Sequence, residues 1–310
     1  MVTVAVIGGT GSVGKTIVDA FLAEGTHEVI IITRKVPEGK SAAKILAVDY
    51  TNVEQLTKTL EENNIHTIIS TIVMYDPAAA QAERNFIAAA DKSSCTKRFV
   101  ASNWGNATPE DLSLRLELNG LREPSIAALR KTGLEWTQFY NGLFLDYYGM
   151  PHIPTYLTPL VIFIDMAHKT AALPGSTGDE LVSFTYTQDL GKFVVAAMGL
   201  KYWGEALHCY SENTSFSRLL QMAEEARGSK FTVTFDPVEN LARDEVTEMP
   251  SYPDLYPYFP KPLLMGLLAK FGLWAVNGIM VVPHEGSLNE KFPEIQTKGV
   301  KDVVGAWKGK

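Results

Sequence analysis

The sequence predicts an α/β protein: a Rossmann-type, doubly wound parallel sheet with a smaller C-terminal α/β substrate lobe. Three observations predict it. Short apolar runs alternate with helical stretches as far as Asn141, which implies βαβ units and a parallel sheet. A glycine-rich loop joins the first run to the first helix. Beyond Asn141 the alternation breaks, and the remaining chain has room for a second lobe.

The expected strands are Val2–Ile7, Glu28–Thr33, Ile45–Val48, His66–Ile72, Arg98–Ala101 and Trp136–Tyr140. Helices are expected near Val13–Ala23, Val53–Leu60, Ala79–Ala90 and Ser125–Lys131. Asn52 and Gln55 stand at capping-box spacing ahead of the second helix. Pro124 fits a first helical turn, where its missing N–H is not needed. In the second half, three prolines in Met150–Pro159 imply an irregular connection, and Leu173-Pro-Gly-Ser-Thr-Gly reads as a turn. Asp189–Met198 and Phe216–Arg227 read as helices, Phe231–Phe235 as a strand, and Pro250–Pro262 as a long loop. Pro262–Pro283 raises the question of a membrane helix. It carries Lys270, Asn277 and three glycines, so a buried or pocket-covering helix is expected instead. The expected division is 1–145 for a dinucleotide-binding domain and 146–310 for the substrate lobe, interleaved as one unit.

Composition narrows the function. Lys+Arg number 28 against Asp+Glu 35, a net charge of −7. A general nucleic-acid binder needs a basic face, so nucleic acid is not an expected partner. Charged residues at 20 % and hydrophobic residues at 46 % exclude wholesale disorder. Cys95 and Cys209 cannot build a disulfide framework and suit a reducing compartment. No charged n-region precedes Val2, so a cytoplasmic location is expected. Monomer and homodimer both stay open.

The strongest motif is Val6-Ile7-Gly8-Gly9-Thr10-Gly11-Ser12-Val13-Gly14, with Gly8, Gly11 and Gly14 at G-x-x-G-x-x-G spacing. The first glycine permits the tight turn, the second lets backbone N–H groups approach a pyrophosphate, and the third packs the helix on the sheet. The helix N-terminus then faces the anion. At the end of the second strand stand Ile32-Thr33-Arg34-Lys35. An acidic residue there binds the ribose of NAD and an arginine accepts a 2′-phosphate, so Arg34 and Lys35 point to NADP(H).

These segments, with VDYTN at Val48–Asn52, KRFVASNWG at Lys97–Gly105 and GLEWTQFYNGLFLDYYG at Gly133–Gly149, resemble the NmrA-like and isoflavone reductase-like family, in a fungal-type member. This is the atypical branch of the short-chain dehydrogenases/reductases. The resemblance implies NADP(H) extended over a Rossmann sheet, with the substrate between sheet and C-terminal lobe. It implies that Gly8, Thr10, Gly11, Ser12, Val13 and Gly14 hold phosphates and that Asp49 and Tyr50 lie by the adenine. It places Ser70, Thr71 and Ile72 at the crevice, and Ser102, Asn103 and Trp104 near the nicotinamide.

Two departures stand out. No tyrosine is followed by lysine four positions later, so the usual short-chain dehydrogenase pair is absent. The resemblance places a lysine in the helix before the sixth strand, and aligning on Gly133–Thr137 puts Arg122 there. Arginine stays protonated, so it cannot be a general base, but it can stabilise an oxyanion. Asn103 stands where related sequences carry Glu in Ser-Glu-Trp-Gly.

Other chemistry is weaker. The six histidines show no metal-ligand spacing, so no metal is expected, and no G-x-S-x-G elbow occurs. His168 reads as a surface or capping residue, and Cys95 as structural. Trp104, Asn141, Phe144, Tyr147 and Tyr148 suit the wall of a pocket for a flat, apolar ligand. The expected activity is NADPH-dependent reduction of a C=C, C=N or C=O bond in an aromatic or heterocyclic secondary metabolite of a biosynthetic pathway. Arg122, Asn103 and Tyr140 or Tyr147 would polarise or protonate the acceptor. Two alternatives stay open: a non-redox cyclase, isomerase or condensing enzyme on the same fold, and a non-catalytic NADP(H)-sensing regulator.

Overall fold

Thirteen strands occur in chain order: β1 (Thr3–Ile7), β2 (Glu28–Thr33), β3 (Lys44–Ala47), β4 (Ile65–Ser70), β5 (Arg98–Gly105), β6 (Glu135–Tyr140), β7 (Leu143–Phe144), β8 (Ile164–Asp165), β9 (Thr170–Pro174), β10 (Leu181–Thr185), β11 (Ala206–His208), β12 (Glu212–Ser215) and β13 (Thr232–Asp236). They belong to a computed structural model that describes residues 1–310. The central sheet has seven strands in the order β11-β6-β5-β4-β1-β2-β3. All of its pairings are parallel. Strand order reverses between β1 and β4, so a crevice opens at their carboxyl ends, the position where such sheets bind ligands. The chain is therefore Rossmann-type, as the alternation predicts.

The main helices are α1 (Ser12–Glu24), α2 (Val53–Glu62), α3 (Pro77–Lys92), α4 (Glu117–Leu129), α5 (Thr187–Ala197), α6 (Phe216–Arg227), α7 (Val238–Leu241) and α8 (Lys261–Val276). Alternate strand residues feed two cores. Val4, Val6, Ile31 and Val100 pack with Ile17 and Phe21 of α1 and Phe193 of α5. Ala5, Ile7, Ile32 and Phe99 pack with Leu56 of α2, Phe86 of α3 and Leu129 of α4. This two-sided burial explains the near-continuous apolar runs of β1, β2 and β4.

The second half supplies more to the central sheet than its sequence suggests. β11 adds the edge strand beside β6, and α5 packs on α1. The remaining strands make two small sheets, β12-β10-β7 and β13-β9-β8, around a separate core that includes Tyr148, Phe163, Phe184 and Phe216. Gly142 links the two parts. Its φ is +66°, and an added Cβ would lie 2.8 Å from the Ser183 Cβ, so only glycine fits where β6 turns into β7 against β10.

Two expectations need correction. α4 begins at Glu117, and Pro124 lies inside it, not in its first turn. The Gly120 carbonyl that loses its N–H donor belongs to an exposed residue, so the helix leaves no buried acceptor unpaired there. β5 continues past Ala101 to Gly105, through a register shift against β6 between Val100 and Trp104. The apolar segment expected as a pocket cover is α8, and no helix is long and apolar enough to cross a membrane.

Candidate active site

The glycine loop is shaped by close packing over Thr71. Gly8 has φ +76°, and a Cβ on Gly14 would lie 2.6 Å from the Thr71 hydroxyl oxygen. Thr71 itself is spent on the fold: its N–H and its hydroxyl both donate to the Ile7 carbonyl, at 2.9 and 2.7 Å. Gly11 is the N-cap of α1 and offers no side-chain acceptor. The first-turn N–H groups, from Ser12 and Val13 onward, therefore face the crevice without a capping side chain, beside exposed Thr10. The groove fits a dinucleotide pyrophosphate on its own geometry.

Arg34 and Lys35 follow β2 on the exposed rim, and neither side chain hydrogen-bonds or ion-pairs within the protein. Asp49 is exposed, but its Oδ1 accepts the N–H and hydroxyl of Thr51 at 2.9 and 2.7 Å, and these bonds lower its pKa. Tyr50 turns inward. Its hydroxyl donates to the Ile32 carbonyl at 3.1 Å and its ring meets Phe86 edge-on. Burial pushes it up to about 12, against the pull of Arg34. Ile72 is half-buried, and its carbonyl accepts the Ser102 hydroxyl at 2.8 Å.

The shift in β5 places Asn103 and Trp104 differently from a regular strand, which is a common use of bulges beside sites. The Trp104 indole donates to the Ser70 carbonyl at 3.0 Å and its ring stacks on Phe139. Asn103 is central to a buried polar relay. Arg122 Nη1 donates to Asn103 Oδ1 at 3.0 Å, Asn103 Nδ2 to Gln138 Oε1 at 3.1 Å, and Gln138 Nε2 to the Tyr140 hydroxyl at 3.2 Å. Arg122, Asn103 and Tyr140, singled out in the sequence, thus share one network. Gln138 completes it and gave no signal beyond being polar in a buried strand. Burial lowers the Arg122 pKa while Glu83 and then Tyr140 oppose that shift, and burial raises Tyr140.

Beside the relay lies a cavity of about 180 Å³. Its walls include Trp104, Leu116, Phe144, Tyr147, Leu160 and Ile162, with Leu267, Phe271 and Trp274 of α8 as cover. Arg122 is its one charged lining residue. α8 is fastened to the segment entering α4: Trp274 Nε1 donates to the Leu114 carbonyl at 2.6 Å and Lys270 to the Ser113 carbonyl at 2.8 Å. Tyr147 keeps its proton, since burial and then Asp146 raise its pKa. Of the expected wall, Trp104, Phe144 and Tyr147 line the cavity and two residues do not. Tyr148 is buried with its hydroxyl on the Ile162 carbonyl at 3.2 Å, and Asn141 is fully buried at the β6 end. His168 Nδ1 lies 3.1 Å from Asp165 and 3.0 Å from the Ser251 hydroxyl, and tethers the lobe.

The NmrA-like family profile matches residues 2–260. The chain belongs to the NmrA-like family. It is similar to Oxidoreductase BOA1 of Botryotinia fuckeliana, 35 % identical over 301 residues that cover 95 % of this chain and 96 % of the relative. It is also similar to Oxidoreductase swnN of Metarhizium robertsii, 31 % identical over 97 % of this chain and 96 % of that one. Among solved structures, the binary complex of leucoanthocyanidin reductase with NADPH from Vitis vinifera superposes with a TM-score of 0.74 at 17 % identity. That match covers 98 % of this chain and 99 % of the other, and it supports the fold.

Proposed function

We propose that this NmrA-like protein is an NADPH-dependent reductase of a small, largely apolar metabolite, of the aromatic or heterocyclic type met in secondary metabolism. The observation that carries the reading is spatial. The glycine loop packs on Thr71 at the end of β4, and Trp104 of the neighbouring β5, bonded to the Ser70 carbonyl, lines the cavity with Arg122, which Asn103 joins to the relay. The fungal relatives named as oxidoreductases support redox chemistry, and the NADPH complex of the similar plant reductase supports the cofactor.

Gly8, Gly11, Ser12, Val13 and Gly14 would hold the pyrophosphate, and Arg34 with Lys35 the 2′-phosphate. Bound NADPH would supply a hydride. The protein's part is to place the acceptor and hold the charge that develops on it. Arg122 is aligned by Asn103 and remains protonated, so it donates to an acceptor oxygen as negative charge grows there. Tyr147, which also lines the cavity, stays protonated and can donate a hydrogen bond. The aromatic walls and α8 give the cavity a largely apolar lining. The walls offer guanidinium donors and no acidic side chain to pair with a cation, which suits C=O, or C=C conjugated to it, better than a cationic C=N acceptor.

The test is NADPH oxidation against a panel of aromatic ketones, enones and iminium ions, repeated with NADH. Turnover with NADPH and an enone or ketone supports the reading. Tight NADPH binding with no turnover across the panel contradicts it and favours a non-redox or sensing role.

A further inference from the structure

Glu83 is a buried acid that the hydride-transfer reading does not use. It lies on the apolar face of α3, between Ala80 and Phe86, and is 1 % exposed. One function is plain. The β4–β5 pairing ends at Ile69 opposite Val100, and the Ser102 N–H donates to Glu83 Oε1 at 2.7 Å. A neutral glutamine could accept that bond without the cost of burying a charge.

The carboxylate has a second neighbour. Arg122 from α4 is the one charged group beside it; Ser70 of β4 and Ser125 of α4 bring only hydroxyls, and Ser102 of β5 its amide. Tyr140 of β6 is the other titratable group near Arg122. Glu83 and Arg122 make no direct ion pair, but Ser102, which holds Glu83, and Asn103, which holds Arg122, are consecutive in β5, and α3 packs on α4, so the two groups share one poorly solvated interior. Arg122 has otherwise only the neutral Asn103 as partner, and its Nε is sealed without any. An unpaired guanidinium in an apolar cavity would draw in carboxylates. Glu83 opposes that.

We propose that Glu83 is a specificity-determining residue: its charge balances Arg122 behind the cavity wall, so the cavity offers guanidinium donors without net positive charge and prefers neutral oxygen acceptors to carboxylates. The inference rests on the cavity being the substrate site, and it concerns binding, whether or not reduction follows. A pH dependence follows from it. Burial raises the Glu83 carboxyl above its ordinary range. Acidification therefore neutralises Glu83 while an ordinary ligand carboxylate is still ionised, and uncovers the Arg122 charge.

The experiment uses two probes with one skeleton: benzylideneacetone, a neutral enone, and cinnamate, its carboxylate counterpart. Each is titrated into the full chain with saturating NADP+, which prevents turnover, and the tryptophan fluorescence of Trp104 and Trp274 is followed. The wild-type protein is expected to bind the enone more tightly. Glu83→Gln, which keeps an acceptor for the Ser102 N–H, is expected to bind cinnamate about tenfold more tightly than wild type, or about 1.4 kcal/mol. Its enone affinity should stay within about twofold. Glu83→Asp, which keeps the charge, should retain the wild-type preference. In wild type, cinnamate binding should tighten as the pH is lowered towards the ligand's own titration, and Glu83→Gln should abolish that slope. The wild-type titration tests the proposal even if a variant fails to fold. Unchanged cinnamate affinity in Glu83→Gln, or a flat wild-type profile, overturns it and leaves Glu83 as a support for Ser102. Absence of binding by both probes overturns the cavity assignment and the inference together.

Discussion

The glycine groove and the apolar cavity, linked through the Trp104 bond to the Ser70 carbonyl, are built by different means. The groove is made of backbone: Gly8 and Gly14 pack over Thr71, and uncapped N–H groups of α1 face outward. The cavity is made of side chains gathered from β5, α4, the β7 region and α8. A backbone site permits few residue types at each position and fails abruptly when one is changed. A side-chain site tolerates substitution and shifts its preferences by degrees.

Four substitutions test that contrast, in descending order of effect. Gly14→Val places side-chain atoms where Gly8 and Thr71 already stand, and should abolish measurable NADPH binding in a calorimetric titration. A loss of only a few-fold would contradict the backbone account. Arg122→Met keeps the bulk but removes the donors, and should lower kcat/KM by about 10²-fold while the NADPH dissociation constant stays within about twofold. A parallel loss of NADPH affinity would move Arg122 into the cofactor site. Arg34→Ala should reduce the preference for NADPH over NADH by about tenfold, measured as the ratio of the two dissociation constants. Equal loss for both cofactors would contradict a 2′-phosphate contact. Trp274→Phe removes the bond to the Leu114 carbonyl and should cost about 1 kcal/mol in denaturant unfolding. It should raise the KM more than it lowers kcat, since α8 covers the cavity without touching the relay.

The same contrast explains what could be read from the sequence. The Rossmann sheet was legible because glycine spacing, strand runs and the Arg34–Lys35 pair are local demands of one loop. Trp104, Phe144 and Tyr147 were legible as aromatics near the β5 and β6 ends. Glu83 was hidden in an otherwise regular helix, although an acid at helical spacing from Ala80, Phe86 and Ile87 is a readable anomaly. Leu267 and Phe271 were legible only as part of the apolar segment expected as a cover, and Gln138 was not singled out, because its role comes from long-range packing. Tyr148 illustrates the converse error. It shares the aromatic run with Tyr147, but neighbouring residues in a tight 3₁₀ turn point apart, so one faces the cavity and the other fills the lobe core. Tyr50, expected by the adenine, bonds its hydroxyl to the Ile32 carbonyl, a contact the sequence did not signal.

The central claim is that the groove and the cavity form one reductase site meeting at Asn103 and Trp104. The most direct measurement is a crystal structure of the full chain with NADP+. It should show the pyrophosphate on the first turn of α1, the 2′-phosphate hydrogen-bonded to Arg34, and the nicotinamide against Trp104 at the mouth of the Arg122 cavity. A nicotinamide directed away from that cavity, or a 2′-phosphate bound without Arg34, would contradict the claim.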